Sequence, residues 1–197
     1  ILMKVLLLGS DGMLGHVVKM YLSENNYEVV PLTRRDSSSK FYYDADRNIE
    51  AIEKILEKSK PDVVVNCIGI LNKVAEENKS LAVKLNAFLP HYLDSLSEKY
   101  NFKFVHISTD CVFDGIDGNY TEISKPNADN FYGKSKALGE IVNDRNVTLR
   151  TSIVGPDINR NGIGLFKWFM DQDGEVGGYT KVLWTGVTTI WLARCID

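Results

Sequence analysis

The chain has 197 residues, 44% of them hydrophobic, and a formal net charge of -3. That size and balance suit one soluble globular domain with a sizeable core, or one domain plus part of a second. The mild acidity gives no electrostatic reason to expect nucleic acid or an anionic membrane, and no apolar run approaches the ~20 residues that a membrane helix needs.

Met3–Leu8 is an apolar run interrupted only by Lys4 and closed by Gly9, as expected for a strand buried on both faces. It is too short for a signal peptide's core. Leu14, Val17, Val18, Tyr21 and Leu22 then follow helical spacing, and Tyr27–Leu32 reads as a second strand. Phe41-Tyr42-Tyr43 reads as a third strand. Ile49, Ile52, Ile55 and Leu56 mark a helix that ends before Pro61, and Asp62–Asn66 is another buried strand. Leu81, Leu85, Phe88, Leu89, Tyr92, Leu93 and Leu96 stripe a long helix, with Ser80 as its N-cap and a kink at Pro90. Lys103–Ile107 is a strand, Asn130–Asn143 a helix and Val147–Arg150 a strand. Strands alternating with helices predict a parallel sheet covered on both faces. Beyond Arg150 the pattern loosens, and residues 153–197 read as the start of a smaller substrate-binding portion after a first domain over 1–152. The chain stops inside an apparent helix, Thr188 to Cys195, which predicts a partial chain.

Cys67, Cys111 and Cys195 are few and far apart; an odd count without metal-ligand spacing argues against a disulfide framework and fits a reducing cytoplasm. His16, His91 and His106 form no H-x-x-x-H pair, so no metal site is read.

Three motifs carry chemistry. Gly9-Ser10-Asp11-Gly12-Met13-Leu14-Gly15 follows a strand and opens a helix. In that context the first glycine permits a tight turn, the second lets backbone approach a pyrophosphate, and the third lets helix and strand pack closely. The fold expected is therefore α/β and Rossmann-like, a doubly wound parallel sheet. Dinucleotide folds place an acid about 20 residues on, at the end of the second strand, to hold the ribose 2′-hydroxyl. Here that place falls at Thr33-Arg34-Arg35. Arg34 would pair with a 2′-phosphate, so NADP(H) is preferred over NAD(H), with Asp36 as the competing acid. Asp44 could accept from an adenine amine or simply end a strand, and Cys67-Ile68-Gly69 would let the cofactor lie against backbone.

The second motif is Ser108-Thr109 at the end of an apolar strand, where open parallel sheets put their ligand crevice. The third is Tyr132-Gly133-Lys134-Ser135-Lys136, a tyrosine and a lysine on one helix face. A cation near the phenol would lower its pKa and make it a usable acid near neutrality.

Together these residues resemble the extended short-chain dehydrogenase/reductases, and most closely the dTDP-4-dehydrorhamnose reductase group. Ser108-Thr109-Asp110-Cys111-Val112-Phe113-Asp114-Gly115 is similar to that group's Ser-Thr-Asp-Tyr-Val-Phe-Asp-Gly signature. Tyr120-x-Glu122, Pro126 and the Tyr132 motif with Gly139-Glu140 follow in the group's order. The resemblance implies Thr109 as hydroxyl partner, Tyr132 as acid and Lys136 as its tuner and ribose contact, with Tyr132 and Lys136 both touching the cofactor. It implies reduction of a 4-keto group on a nucleotide-linked deoxysugar, with Ser108, Asp110, Cys111 and Val112 lining the sugar's crevice. Asn161 and Trp184 would fold over the nucleotide. Cys111 departs from the signature's tyrosine, which implies a differently shaped pocket and leaves a UDP-N-acetyl-deoxysugar 4-reductase open. A dehydratase is disfavoured because Cys111 cannot supply its chemistry. The partners expected are a nucleotide-sugar and, in a homodimer, a second copy of the chain. A nucleotide-sugar epimerase stays open, as does a non-catalytic NADP-binding subunit like the regulatory subunit of methionine adenosyltransferase.

Overall fold

The computed structural model describes residues 2–159 and 161–197. Five parallel strands form its sheet: β1 (Lys4–Leu8), β2 (Glu28–Leu32), β3 (Val63–Asn66), β4 (Lys103–Ile107) and β5 (Val147–Leu149), in the order β2-β1-β3-β4-β5. The chain reverses its winding between β1 and β3, and such a switch point opens a crevice at the carboxyl ends of the strands. Leu8 is level with Leu32 on one side and Asn66 on the other, so the loops leaving all three strands emerge together.

Alternation along the strands supplies two cores. Leu6, Leu8, Val64 and Phe104 face one way, against Ile52 and Leu56 of α2 (Ala51–Ser59) and later helices. Val5, Leu7, Val65 and Ile107 face the other, against Leu14, Val18 and Leu22 in and beside α1 (Gly15–Glu24). A sheet buried on both faces needs unbroken apolar strands, and Val-Leu-Leu-Leu and Val-Val-Val provide them.

Phe41–Tyr43 does not form the expected strand. It meets the chain just past β2, at an isolated bridge between Thr33 and Tyr42. Thr33 N–H donates to the Phe41 carbonyl at 3.0 Å, and Tyr43 N–H donates to the Thr33 carbonyl at 2.8 Å. Pro31, two residues earlier and facing the same edge, has no N–H to extend that ladder.

The predicted long helix is also subdivided. After α3 (Asn72–Glu77), the segment opens as α4 (Lys79–Ala82), capped by the Asn78 side chain accepting Leu81 N–H at 3.1 Å; the cap is thus Asn78, not Ser80. A π-helical turn over Val83–Phe88 leads into α5 (Leu89–Lys99). The turn answers Pro90, which cannot donate to the carbonyl of Asn86 and would crowd it in a regular helix. Gly139, at the end of α6 (Phe131–Leu138), packs onto that carbonyl; a Cβ there would lie 1.9 Å from it. Gly139 also ends α6 before the expected Asn143.

Past Arg150, β6 (Ile153–Val154) pairs with β7 (Val187–Thr188) in a two-stranded parallel ribbon, with α7 (Leu165–Met170) between them. Helix α8 (Thr189–Ile196) then returns to α1, where Leu192 and Ala193 join the core of Leu14, Val18 and Leu22. The last helix therefore packs on the same face of the sheet as α1. Among the described residues no helix is long and apolar enough to cross a membrane, and no group of three or more His, Cys, Asp or Glu could hold a metal ion.

Candidate active site

A cleft of about 430 Å³ opens at the switch point. Its walls are the loops after β1 (Gly9, Asp11, Gly12), after β2 (Thr33, Arg34, Arg35) and after β3 (Cys67, Ile68, Gly69), with Asp44 on the outer side. Gly9 sits at φ +74° with its backbone against the third loop; a Cβ would stand 3.1 Å from the Cys67 carbonyl carbon. A Cβ on Gly15 would fall 2.0 Å from the Gly9 oxygen, so the third glycine allows helix and strand to close.

Of the expected cofactor residues, Gly9, Asp11, Gly12, Arg34, Asp44, Cys67, Ile68 and Gly69 line this cleft together. Leu14 and Gly15 are buried behind it, and Met13 packs its sulfur toward Gly164. Asp36, the competing acid, is exposed and turned onto its own loop. Its carboxylate accepts Ser38 N–H at 2.9 Å and Ser38 O–H at 2.7 Å, bonds that hold it below the usual carboxylate pKa. Asp44 Oδ1 also caps its own turn, accepting Asp46 N–H at 3.0 Å.

Thr109, Tyr132 and Lys136 do not line this cleft; Lys136 comes near it at Gly69. A Cβ there would be 3.7 Å from Lys136 Nζ and 3.5 Å from Asn86 Oδ1. Lys136 is buried and donates from Nζ to the Ile107 carbonyl at the end of β4, at 2.7 Å. Burial lowers its pKa to about 8, with Glu140 and Cys67 acting the other way. Thr109, two residues beyond β4, accepts Cys111 N–H at 3.1 Å and donates to Asp110 Oδ1 at 3.3 Å. Tyr132 is buried, and burial pushes its phenol up to about 12, with the Thr109 side chain pulling the other way. The lowered phenol expected from Lys136 is not what the structure gives: the ammonium is turned onto the Ile107 carbonyl, and burial dominates. Thr109, Tyr132 and Lys136 nevertheless gather at one carboxyl edge of the sheet.

The expected sugar contacts separate. Asp110 and Cys111 are exposed beside Thr109. Ser108 is buried and donates to Glu140 Oε1 at 2.8 Å, while Glu140 holds Arg150 through two further bonds. Val112 is fully buried. Neither side chain faces outward. Asn161 and Trp184 are both exposed and neither lines the cleft; Trp184 lies against Gly186. Asp157 and Asn159 line it instead.

Two supports escaped the sequence reading, the buried Asn86 and the exposed Glu76. Asn86, in the π turn, accepts Ile70 N–H at 2.8 Å, donates to the Ile70 carbonyl at 3.0 Å and donates to Ser135 Oγ at 3.1 Å. It ties the loop after β3 to the helix of Tyr132. Glu76 of α3 accepts the N–H groups of Phe131 and Tyr132 at 2.6 and 3.2 Å, placing a carboxylate at the positive end of α6. Polar residues inside an apolar helical stripe were the available signal for Asn86. Glu76 gave none, because its partners lie 55 residues away.

A switch-point cleft floored by glycines, in a parallel five-stranded sheet, defines an α/β protein of the Rossmann-like class. The sequence profile of the RmlD substrate binding domain matches residues 3–170, and the chain belongs to that family. It is 36% identical over 141 residues to a dTDP-4-dehydrorhamnose reductase of Burkholderia thailandensis, covering 71% of this chain and 45% of the relative. It is 26% identical over 162 residues to methionine adenosyltransferase 2 subunit beta of Xenopus tropicalis, covering 80% and 48%. The chain thus spans about half the length of the curated relatives it matches. Among solved structures, a hypothetical dTDP-4-dehydrorhamnose reductase from Sulfolobus tokodaii superposes with a TM-score of 0.81 at 31% identity, covering 98% of this chain and 71% of the other. A dTDP-4-dehydrorhamnose reductase from Bacillus anthracis in complex with NADP gives 0.68 at 25%, covering 80% and 57%.

Proposed function

We propose that the protein is an NADP(H)-dependent reductase of a 4-keto nucleotide-sugar, working in the cytoplasm for surface polysaccharide synthesis. The carrying observation is the gathering of Thr109, Tyr132 and Lys136 at the end of β4, beside a glycine-lined cleft. The residues present fit a dinucleotide. Gly9 and Gly12 leave room for a pyrophosphate at the start of α1, Arg34 stands exposed at the rim, and Gly69 leaves the floor open toward Lys136. Support also comes from the NADP complex of the Bacillus anthracis relative.

A bound nicotinamide supplies hydride to the carbonyl carbon. The chain's own residues handle position and charge. Thr109 hydrogen-bonds the carbonyl oxygen and orients it toward the phenol. Tyr132, which keeps its proton through the neutral range, donates that proton as negative charge develops on the oxygen. Lys136, anchored on the Ile107 carbonyl, holds the ribose and brings positive charge to the same edge.

Purified full-length protein is expected to oxidise NADPH only when given a 4-keto sugar nucleotide. Tyr132→Phe should lower that rate by about 10²–10⁴-fold; an undiminished rate would overturn the role of Tyr132. The likeness to methionine adenosyltransferase 2 subunit beta favours one rival, a binding subunit without turnover. Tight NADPH binding, no turnover on any 4-keto sugar and stable capture of an adenosyltransferase would establish that rival instead.

A further inference from the structure

The glycine loop brings a carboxylate of its own to the mouth of the cleft. The Thr33 hydroxyl, just past β2, donates to Asp11 Oδ2. Thr33 Oγ1 in turn accepts Arg35 N–H at 3.1 Å. Arg35 Nη2 donates to the Asp11 carbonyl at 3.1 Å, and its Nε lies 3.9 Å from Asp11 Oδ2. Asp11, Thr33, Arg34 and Arg35 all line the cleft.

Thr33 stands where dinucleotide folds carry the acid of the second strand. Because β1 and β2 are adjacent and in register, the loops leaving them meet, and the acid arrives from the neighbouring loop instead. A carboxylate there accepts well from a ribose 2′-hydroxyl. It opposes a 2′-phosphate twice: by like charge, and by engaging the Arg35 guanidinium that the phosphate would use. Arg34 is exposed at the same rim and favours the phosphate. The rim thus holds two opposed preferences.

We infer that Asp11 sets the discrimination between phosphorylated and unphosphorylated dinucleotide, restraining the preference for NADP(H) that Arg34 and Arg35 provide. This rests on the cofactor reading proposed above. The test is calorimetric titration of the full-length protein with 2′,5′-ADP and with 5′-AMP, and of NADPH and NADH by fluorescence. Asp11→Asn keeps an acceptor for Thr33 and should raise the affinity ratio of 2′,5′-ADP to 5′-AMP about tenfold. Arg35→Ala should weaken 2′,5′-ADP about tenfold while leaving 5′-AMP within about twofold. A ratio unchanged within about twofold in Asp11→Asn, with both probes still bound, overturns the inference alone. If the wild type binds neither probe nor either dinucleotide, the cofactor reading falls and the inference falls with it.

Discussion

Lys136 is charged in a place that disfavours charge. Burial lowers its pKa from 10.5 to about 8, although Glu140 and Cys67 pull it up. Below about pH 8 both the folded and the unfolded chain carry the proton, and the fold bears the full cost of the buried ammonium. Between about 8 and 10.5 only the unfolded chain retains it, so this residue's contribution to stability improves as pH rises through that window. Lys136→Met is therefore expected to raise unfolding stability at pH 7 by about 1–3 kcal/mol, after the lost bond to Ile107 is counted, while abolishing turnover. Urea titrations at pH 7, 8 and 10 check this; a gain that stays constant with pH would exclude burial as its cause. At this scale the sequence was informative about placement: the glycine loop opens α1, and Tyr132 and Lys136 share α6. It misled about the phenol, because the direction in which Nζ points depends on a carbonyl 29 residues away. It also assigned Ser108 to substrate, whereas the hydroxyl is taken by Glu140.

Helix α6 depends on elements that precede it. Asn130 caps Gly133 N–H at 2.7 Å, and Glu76 takes the N–H groups of Phe131 and Tyr132. Glu76→Ala should cost ~1–2 kcal/mol and reduce kcat more than KM, since the amide it releases belongs to Tyr132. Glu76→Gln, which retains an acceptor, should recover most of both; denaturant midpoints and steady-state kinetics measure the pair. Periodicity located the five strands of the main sheet and most of the helices against it, because burying a face needs apolar residues at fixed intervals; it did not locate α3, α7 or the β6–β7 ribbon. It overran where a single residue blocks the regular pattern. Pro31 denies Phe41–Tyr43 a ladder, and Pro90 turns one helix into three segments. The π turn that results aims Asn86 at Ile70 and Ser135, an outcome no local spacing announces.

At the scale of the molecule, the sheet is covered on one side by α1 together with a helix from the far end of the chain. Leu192 of α8 is 3% exposed and lies among residues of α1 and β1. Leu192→Ala should destabilise the fold by ~2–4 kcal/mol, measured by calorimetry. Tyr21 and Tyr27 reach the same terminus through Asp197, the former at 3.3 Å. The parallel order of the sheet also constrains how the protein is made. β1 is a central strand, yet its second neighbour begins at Val63. On the ribosome, Val5 to Leu8 and β2 emerge with one open edge and two bare greasy faces, and wait for more than thirty further residues before β3 can dock. Non-local pairing of this kind slows collapse and leaves nascent chains prone to clumping. Yield in a cell should accordingly respond to chaperone supply and translation speed.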